Sequence, residues 1–350
     1  MSYVRPSVRH PDAETNNLGY TKKHYEGSIS SLCAGCGHDS ISNAIITACF
    51  EMDLEPHHIV KLSGIGCSSK TPAYFLGNSH GFNSVHGRMP SVATGANMAN
   101  RDLIYLGVSG DGDTASIGMG QFAHVVRRNL NMVYVVMNNG CYGLTKGQDS
   151  ATADKGSKTK KGRQVSLEAI DLCEMAIQGG AGFVARGFSG DRKQVVAMLK
   201  AAFSHTGLAF LDILSPCVTF NNVPTSTKSY SWVRQHMDAT HTFDFIPYCQ
   251  EITTDYTNGS TTPIILHDGS TLELCKLKDN ADITRKSTAI AALEKAKEES
   301  HILTGILYLD PESKDTHAVM NTSRTPLNVM SESELCPGNK ALQDINDNFR

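Results

Sequence analysis

Apolar positions in the middle of the chain come in short unbroken runs, Leu103 to Ser109 and Met132 to Met137, each too short for a buried helix and each closed by small polar residues. Runs of this kind, rich in Val, Leu and Tyr, predict buried strands. Between them Ala115 to Asn129 carries a helical period, so the segment reads strand, helix, strand and requires a parallel pair with a right-handed crossover. The alternation repeats. Strands are predicted at Ile59 to Ser63, Leu103 to Ser109, Val133 to Met137, Phe183 to Gly187 and Ala209 to Leu214, and helices near 40–51, 90–100, 115–129, 166–178 and 191–204. The fold class is therefore α/β, a doubly wound, mainly parallel sheet.

The flanks are different. Residues 1–27 are polar without a clean period and read as an N-terminal arm that wraps a partner or stays loose. After Pro224 the alternation weakens, leaving helices at Tyr230 to Ala239 and Thr288 to Ser300 and a small sheet from Pro263 to Leu277. The stretch beyond 311, rich in Asp, Ser, Asn and Thr, reads as an extended tail lying on another subunit. The predicted division is 1–27, 28–228 and 229–350, and no internal repeat is present.

The two central strands end in Gly110-Asp111-Gly112 and Asn138-Asn139, and neighbouring parallel strands of an open sheet bind ligands at their carboxyl ends. Asp111 and Asn139, 28 positions apart, can aim oxygen at one cation. A hard divalent ion holding a diphosphate suits such donors. The plain alternative is a strand-end turn. The paired endings resemble the Mg²⁺ and thiamine diphosphate signature of thiamine-dependent enzymes, which implies Asp111, the Asn139 side chain and the main-chain carbonyl of Cys141 as magnesium ligands.

Ten cysteines, no signal peptide and no apolar run near the roughly 20 residues of a membrane span predict a cytoplasmic protein with reduced thiols. Cys33-Ala-Gly-Cys36 is then a metal site, a redox pair or two ordinary buried thiols. Cys67 in Gly64-Ile-Gly-Cys67 and Cys217 in Ser215-Pro-Cys217 share its setting, a tight loop with Gly or Pro. Such loops let thiolates converge on iron, and zinc would use the same four ligands. Composition is ordinary at 40% apolar and 19% charged, and a net charge of −3 argues against a general nucleic-acid or anionic-membrane surface. The densest basic run, Lys155 to Arg163, reads as a solvated loop.

Taken together, Cys33 to His38, Lys61 to Ser69, His86-Gly-Arg88, Gly110-Asp-Gly-Asp113 and Tyr142 to Gln148 resemble the β subunit of 2-oxoacid:ferredoxin oxidoreductases, in order from about residue 28 to about 225. The resemblance implies a [4Fe-4S] cluster on Cys33, Cys36, Cys67 and Cys217. It also implies thiamine diphosphate held by Gly64, Ile65, Gly66, Ser68, Gly110, Asp111, Gly112, Asp113, Asn139, Tyr142, Gly143, Leu144 and Thr145. Cys49, Cys141, Cys173, Cys249, Cys275 and Cys336 match no cluster position. The implied reaction is oxidative decarboxylation of a 2-oxoacid with coenzyme A to acyl-coenzyme A, CO₂ and reduced ferredoxin, the electrons leaving through the cluster.

His38, His86, Arg88 and Lys146 are the cationic candidates for catalysis, each with an ordinary reading as a helix cap or solvated charge. Lys146, in the loop over the cofactor, can pair with the distal carboxylate of a dicarboxylic substrate, which favours 2-oxoglutarate. Pyruvate or a broad range of 2-oxoacids, a non-oxidative decarboxylase and a Cys₄ zinc module remain alternatives. The chain has no ferredoxin-type Cys run and no recognisable carboxylate for the aminopyrimidine of the cofactor. An α subunit is therefore the expected partner, in an αβ or (αβ)₂ assembly, with ferredoxin as acceptor.

Overall fold

A computed structural model of the chain describes residues 13–157, 162–215, 217–219, 253–265, 271–276, 282–336 and 338–349. The expected strands include β1 (Ile59–Ser63), β3 (Ile104–Gly110) and β4 (Met132–Asn138), while an exposed edge strand that was not expected, β2 (His80–Asn83), pairs with β1. A two-stranded hairpin, β5 (Cys141–Tyr142) and β6 (Gln148–Asp149), stands apart from the main sheet. The remaining strands are β7 (Phe183–Phe188), β8 (Leu208–Leu214), β9 (Thr261–Ile265), β10 (Thr271–Lys276) and β11 (Ile302–Leu309). Nine of these make one sheet in the order β2-β1-β3-β4-β8-β7-β11-β10-β9, with β1 to β4, β7 and β8 all parallel.

The helices are α1 (Gly37–Glu51), α2 (Cys67–Lys70), α3 (Met89–Ala99), α4 (Met119–Arg128), α5 (Leu172–Gly179), α6 (Arg192–Ser204) and α7 (Lys286–Glu298). Strand β4 shows why the sheet is covered on both faces. Met132, Tyr134 and Val136 enter one core with Phe122 of α4 and Ala176 of α5, whereas Val133, Val135 and Met137 enter the other with Ile41 of α1 and Val195 of α6. Period-2 alternation with both sides apolar gives the unbroken hydrophobic run seen in the sequence.

The structure departs from expectation in several places. Residues 13–27 are not a loose arm, because Tyr25 is fully buried and its hydroxyl accepts from Asn16 Nδ2 at 2.8 Å, while Asn17 bonds Asp53. The helix expected at 115–129 divides into a π-helical turn, Gly112–Ile117, closed by Gly118 N–H to the Asp113 carbonyl, and then α4. The helix expected from 166 starts at Leu172, where Asp171 caps it, and Leu167 is exposed. Strands β9 and β10 pair as expected, but they join the main sheet through β11, which was not foreseen. The tail beyond 311 is not extended throughout, since 316–320, 332–335 and 338–347 are helical. The helix expected at Tyr230 to Ala239, and Cys249, lie outside the described residues. No helix among the described residues is long and apolar enough to cross a membrane.

Candidate cofactor site

The register of β1, β3 and β4 brings Gly64, Asp111 and Asn139 to one edge of the sheet, because all three strands run parallel and stop together. Asp111 is buried there. Its Oδ2 accepts from Thr152 Oγ1 at 2.9 Å and from Ser150 Oγ in a shorter contact, and its Oδ1 accepts from the Asn139 N–H at 3.2 Å. An ionised carboxylate offers about four lone-pair sites, so the donors among the described residues leave one on Oδ1. Asn139 Oδ1 accepts from Cys141 N–H at 3.1 Å, an Asx turn that gathers the Asn139 oxygen and the Cys141 backbone beside Asp111. Carboxylate, amide and carbonyl oxygen form a donor set suited to a small hard cation.

The loop after β1 is built for close approach. Gly66 has φ 132 and ψ −175, a conformation essentially reserved to Gly. A Cβ on Gly64 would lie 1.8 Å from Asp113 Oδ2. Ser68 is buried with its hydroxyl facing Gly110, and the buried Ser69 hydroxyl has no hydrogen-bond partner among the described residues. An unsatisfied hydroxyl in a glycine-lined loop suits a phosphate oxygen.

Asp113, expected beside the cofactor, is turned inward. Its Oδ2 accepts from Ser109 Oγ at 2.6 Å, and its Oδ1 accepts from Gly87 N–H at 2.7 Å, from Ile65 N–H at 3.4 Å and makes a very short contact with His86 Nδ1. The carboxylate thus ties the loops after β1 and before α3 to the π-helical turn. His86, partly exposed, meets the Tyr142 ring edge-on at 6.1 Å, and Tyr142 donates to the Gly112 carbonyl at 3.0 Å.

The four matched cysteines converge on the same loop cluster. Gly143, at the start of the β5–β6 turn, would place a Cβ 3.4 Å from Cys67 Sγ and 3.8 Å from Cys217 Sγ. Cys36 and Cys33 are joined by a tight turn, and Thr219 Oγ1 lies 3.5 Å from Cys33 Sγ. Burial pushes the Cys36 thiol up to about 12, reinforced by the neighbouring Cys217, and Cys67 is raised by burial and by Cys217 and Cys33. Thiols in this condition become thiolates only with a metal to stabilise them. Cys49 and Cys173 are core residues with no exposure.

The cationic candidates separate. His38 is buried and burial lowers it to about 4, so at neutral pH it is uncharged and is not the cation expected; its Nδ1 meets Ser215 Oγ at 2.6 Å. Arg88 caps α3 and is exposed. Lys146, Leu144 and Thr145 occupy the exposed tip of the β5–β6 turn, where Lys146 has φ 78 and Thr145 donates to Gln148. Sequence reading missed Ser150, Thr152 and Asn138, and also Arg186 and Asp212. The last two had a signal, opposite charges in two runs otherwise fit for burial.

Comparison with known proteins agrees with this geometry. Residues 64–213 match the family model described as thiamine pyrophosphate enzyme, C-terminal TPP binding domain. The chain is 41% identical over 199 residues to the 2-oxoacid:ferredoxin oxidoreductase subunit beta of Saccharolobus solfataricus, covering 57% of this chain and 65% of that one. It is 38% identical over 190 residues to the 2-oxoglutarate synthase subunit KorB of Methanocaldococcus jannaschii, covering 54% of this chain and 70% of that one. A solved structure, 2-oxoglutarate:ferredoxin oxidoreductase from Magnetococcus marinus with 2-oxoglutarate, coenzyme A and succinyl-CoA bound, superposes with TM-score 0.72 at 26% identity over 92% of this chain and 97% of that chain. The matches to the Sulfolobus, Saccharolobus and Aeropyrum relatives span just under two thirds of their lengths. The chain belongs to the family of 2-oxoacid:ferredoxin oxidoreductase β subunits.

Proposed function

We propose that this chain is the cofactor-bearing β subunit of an enzyme that oxidatively decarboxylates a 2-oxoacid, 2-oxoglutarate in preference, with coenzyme A, giving acyl-coenzyme A, CO₂ and reduced ferredoxin. The observation that carries the reading is one loop shared by two sites: Asn139 and Cys141 stand beside Asp111, and Gly143, two residues on, lies so close to Cys67 and Cys217 that a Cβ there would be 3.4 Å and 3.8 Å from their sulfurs. Thiamine diphosphate, when bound, supplies an electron sink for decarboxylation of a 2-oxoacid. Asp111, Asn139 and the Cys141 carbonyl would hold its Mg²⁺. Gly64, Gly66, Ser68 and the unpartnered Ser69 hydroxyl would meet the diphosphate, and Tyr142 and the Gly112 backbone would wall the site. Cys33, Cys36, Cys67 and Cys217, gathered beside Gly143, would hold a [4Fe-4S] cluster.

His86, fixed through Nδ1 by Asp113 and packed against the Tyr142 ring, would stand at the cofactor site as a group able to contact substrate. An α subunit supplies the missing carboxylate, and ferredoxin is the acceptor. The test is metal and cofactor analysis of the anaerobically purified protein with its co-purified partner, with electron paramagnetic resonance spectra before and after 2-oxoglutarate and coenzyme A. About four irons per chain, bound thiamine diphosphate and a substrate-dependent signal are expected. Zinc without iron would overturn the redox reading.

A further inference from the structure

Arg186 on β7 and Asp212 on β8 face each other in register, in strands whose every residue is buried. Arg186 Nε donates to Asp212 Oδ2 at 3.2 Å, and its Nη2 donates to Asp171 Oδ1 at 2.6 Å. Burial opposes the charge on Arg186, but Asp171 and Asp212 outweigh it and hold the guanidinium well above its ordinary pKa. The remaining oxygen of Asp212, Oδ1, accepts from Asn138 Nδ2 at 3.0 Å.

That contact settles which way the Asn138 amide points. With its NH₂ on Asp212, Asn138 turns its Oδ1 toward Thr152 Oγ1 at 3.0 Å and the Gly140 N–H at 3.3 Å. The single Thr152 hydroxyl proton is shared between two acceptors, Asn138 Oδ1 and Asp111 Oδ2 at 2.9 Å, so Thr152 bridges them through one divided hydrogen bond, and Gly140 lies between Asn139 and Cys141. A buried ion pair alone does little for stability, since apolar residues of similar volume serve as well. An amide, however, has two nearly isosteric ends, and only an obligate acceptor such as a carboxylate tells them apart.

We propose that Arg186, Asp212, Asn138 and Thr152 form a positioning relay that orients Asp111 and the Asn139–Cys141 loop toward the divalent cation. The proposal rests on the reading of Asp111 as a metal ligand. None of the four is a catalytic residue; each acts through Asp111 or the loop. Groups that orient metal ligands in this way typically control metal affinity by 10- to 100-fold.

The test uses the complete enzyme with its co-purified partner, kept anaerobic and freed of divalent metal by chelation. Mn²⁺ binding is read from the signal of the free ion in the presence of saturating thiamine diphosphate, and visible absorbance reports the cluster independently. Asp212→Asn and Thr152→Val are each expected to weaken Mn²⁺ by about ten-fold or more with cluster absorbance unchanged, and Thr152→Ser to restore affinity to within about two-fold. Asp111→Asn is measured in parallel. If it abolishes Mn²⁺ binding while Asp212→Asn and Thr152→Val bind within two-fold of the parent, the relay is overturned and the site reading survives. If Asp111→Asn binds Mn²⁺ like the parent, the site reading falls and takes the relay with it. Should Asp212→Asn yield no folded protein, the Thr152 pair decides alone, because Val and Ser differ there chiefly in the hydroxyl.

Discussion

His38 Nδ1 and Ser215 Oγ lie 2.6 Å apart in the interior, 177 residues apart in sequence, and their contact ties the loop of Cys33 and Cys36 to the loop of Cys217. His38 lies in the first turn of α1, two residues after Cys36, and Ser215 follows the end of β8, two residues before Cys217. The pair therefore sets the spacing of two loops, those of Cys33 and Cys36 and of Cys217, that no strand pairing connects. Ser215→Ala is expected to cost about 1–2 kcal/mol, the usual cost of leaving a buried polar partner unmatched. It should also speed iron loss from the anaerobic protein on dilution into chelator. Unchanged iron retention would show that the cysteine loops hold their spacing without the pair.

The same histidine predicts a pH effect with a definite sign. Burial lowers His38 to about 4, so between about pH 6.5 and pH 4 the unfolded chain takes up a proton that the folded chain refuses. The contribution of neutral His38 is complete above 6.5 and is lost as pH falls toward 4, by up to about 3 kcal/mol. His38→Asn keeps an amide near the Nδ1 position and cannot titrate. The difference in thermal midpoint between parent and His38→Asn should narrow or reverse as pH drops through that window. A constant difference from pH 7 to pH 4 would mean that His38 does not stay neutral.

Gly64 and Asp113 make a steric prediction. A methyl group on Gly64 would sit 1.8 Å from Asp113 Oδ2, and the carboxylate cannot withdraw without releasing Ser109, Gly87, Ile65 and His86. Gly64→Ala should destabilise by at least about 2 kcal/mol, and Asp113→Ala alone by a similar amount. The double variant should cost clearly less than the sum, since the Ala at 113 frees the space the new methyl needs. Additive losses in denaturant unfolding would place the strain elsewhere.

Cysteine substitutions sort six of the ten thiols. Cys33→Ser, Cys36→Ser, Cys67→Ser and Cys217→Ser are each expected to lower iron from about four atoms per chain toward zero. Cys49→Ala and Cys173→Ala, at fully buried core positions, should leave iron content in place while costing about 1 kcal/mol of packing. Loss of iron in the core pair, or its retention in two or more of the four, would break the assignment.

The legibility of these features follows from their range. Strands β1, β3, β4, β7 and β8 were readable because both faces of the sheet are covered and each strand is an unbroken apolar run. Asp111 and Asn139 were readable because strand ends are local signals. The N-terminal contact of Tyr25 was not, because its partner Phe50 is remote in the chain, and β11, although Ile302–Leu309 is itself an apolar run, was missed because it follows the weakly alternating segment after Pro224 and pairs with the distant β7. Asn138 shows the limit most clearly. It stands beside the residue singled out, yet its role depends on Asp212, 74 positions away, whose own charge reads as an anomaly in a buried strand. His38 carried a motif signal that pointed the wrong way, since only its burial reveals that it is neutral.

Substrate choice provides the last expectation. Lys146 sits exposed at the tip of the β5–β6 turn with φ 78, a backbone state that costs a non-glycine residue about 1 kcal/mol or more. Its N–H donates to the Gly143 carbonyl at 3.1 Å, so the strained turn is held shut at the glycine that packs near Cys67 and Cys217. An ammonium there can meet the distal carboxylate of a dicarboxylic 2-oxoacid and has nothing equivalent to meet on pyruvate. Lys146→Met should therefore raise KM for 2-oxoglutarate by about ten-fold, equivalent to about 1.4 kcal/mol, and change KM for pyruvate by less than about three-fold. Lys146→Gly relaxes the backbone while also removing the charge, so it should show the same discrimination. If Lys146→Met and Lys146→Gly differ, the backbone state rather than the ammonium governs the loop, and equal KM changes for both substrates would remove Lys146 from substrate selection.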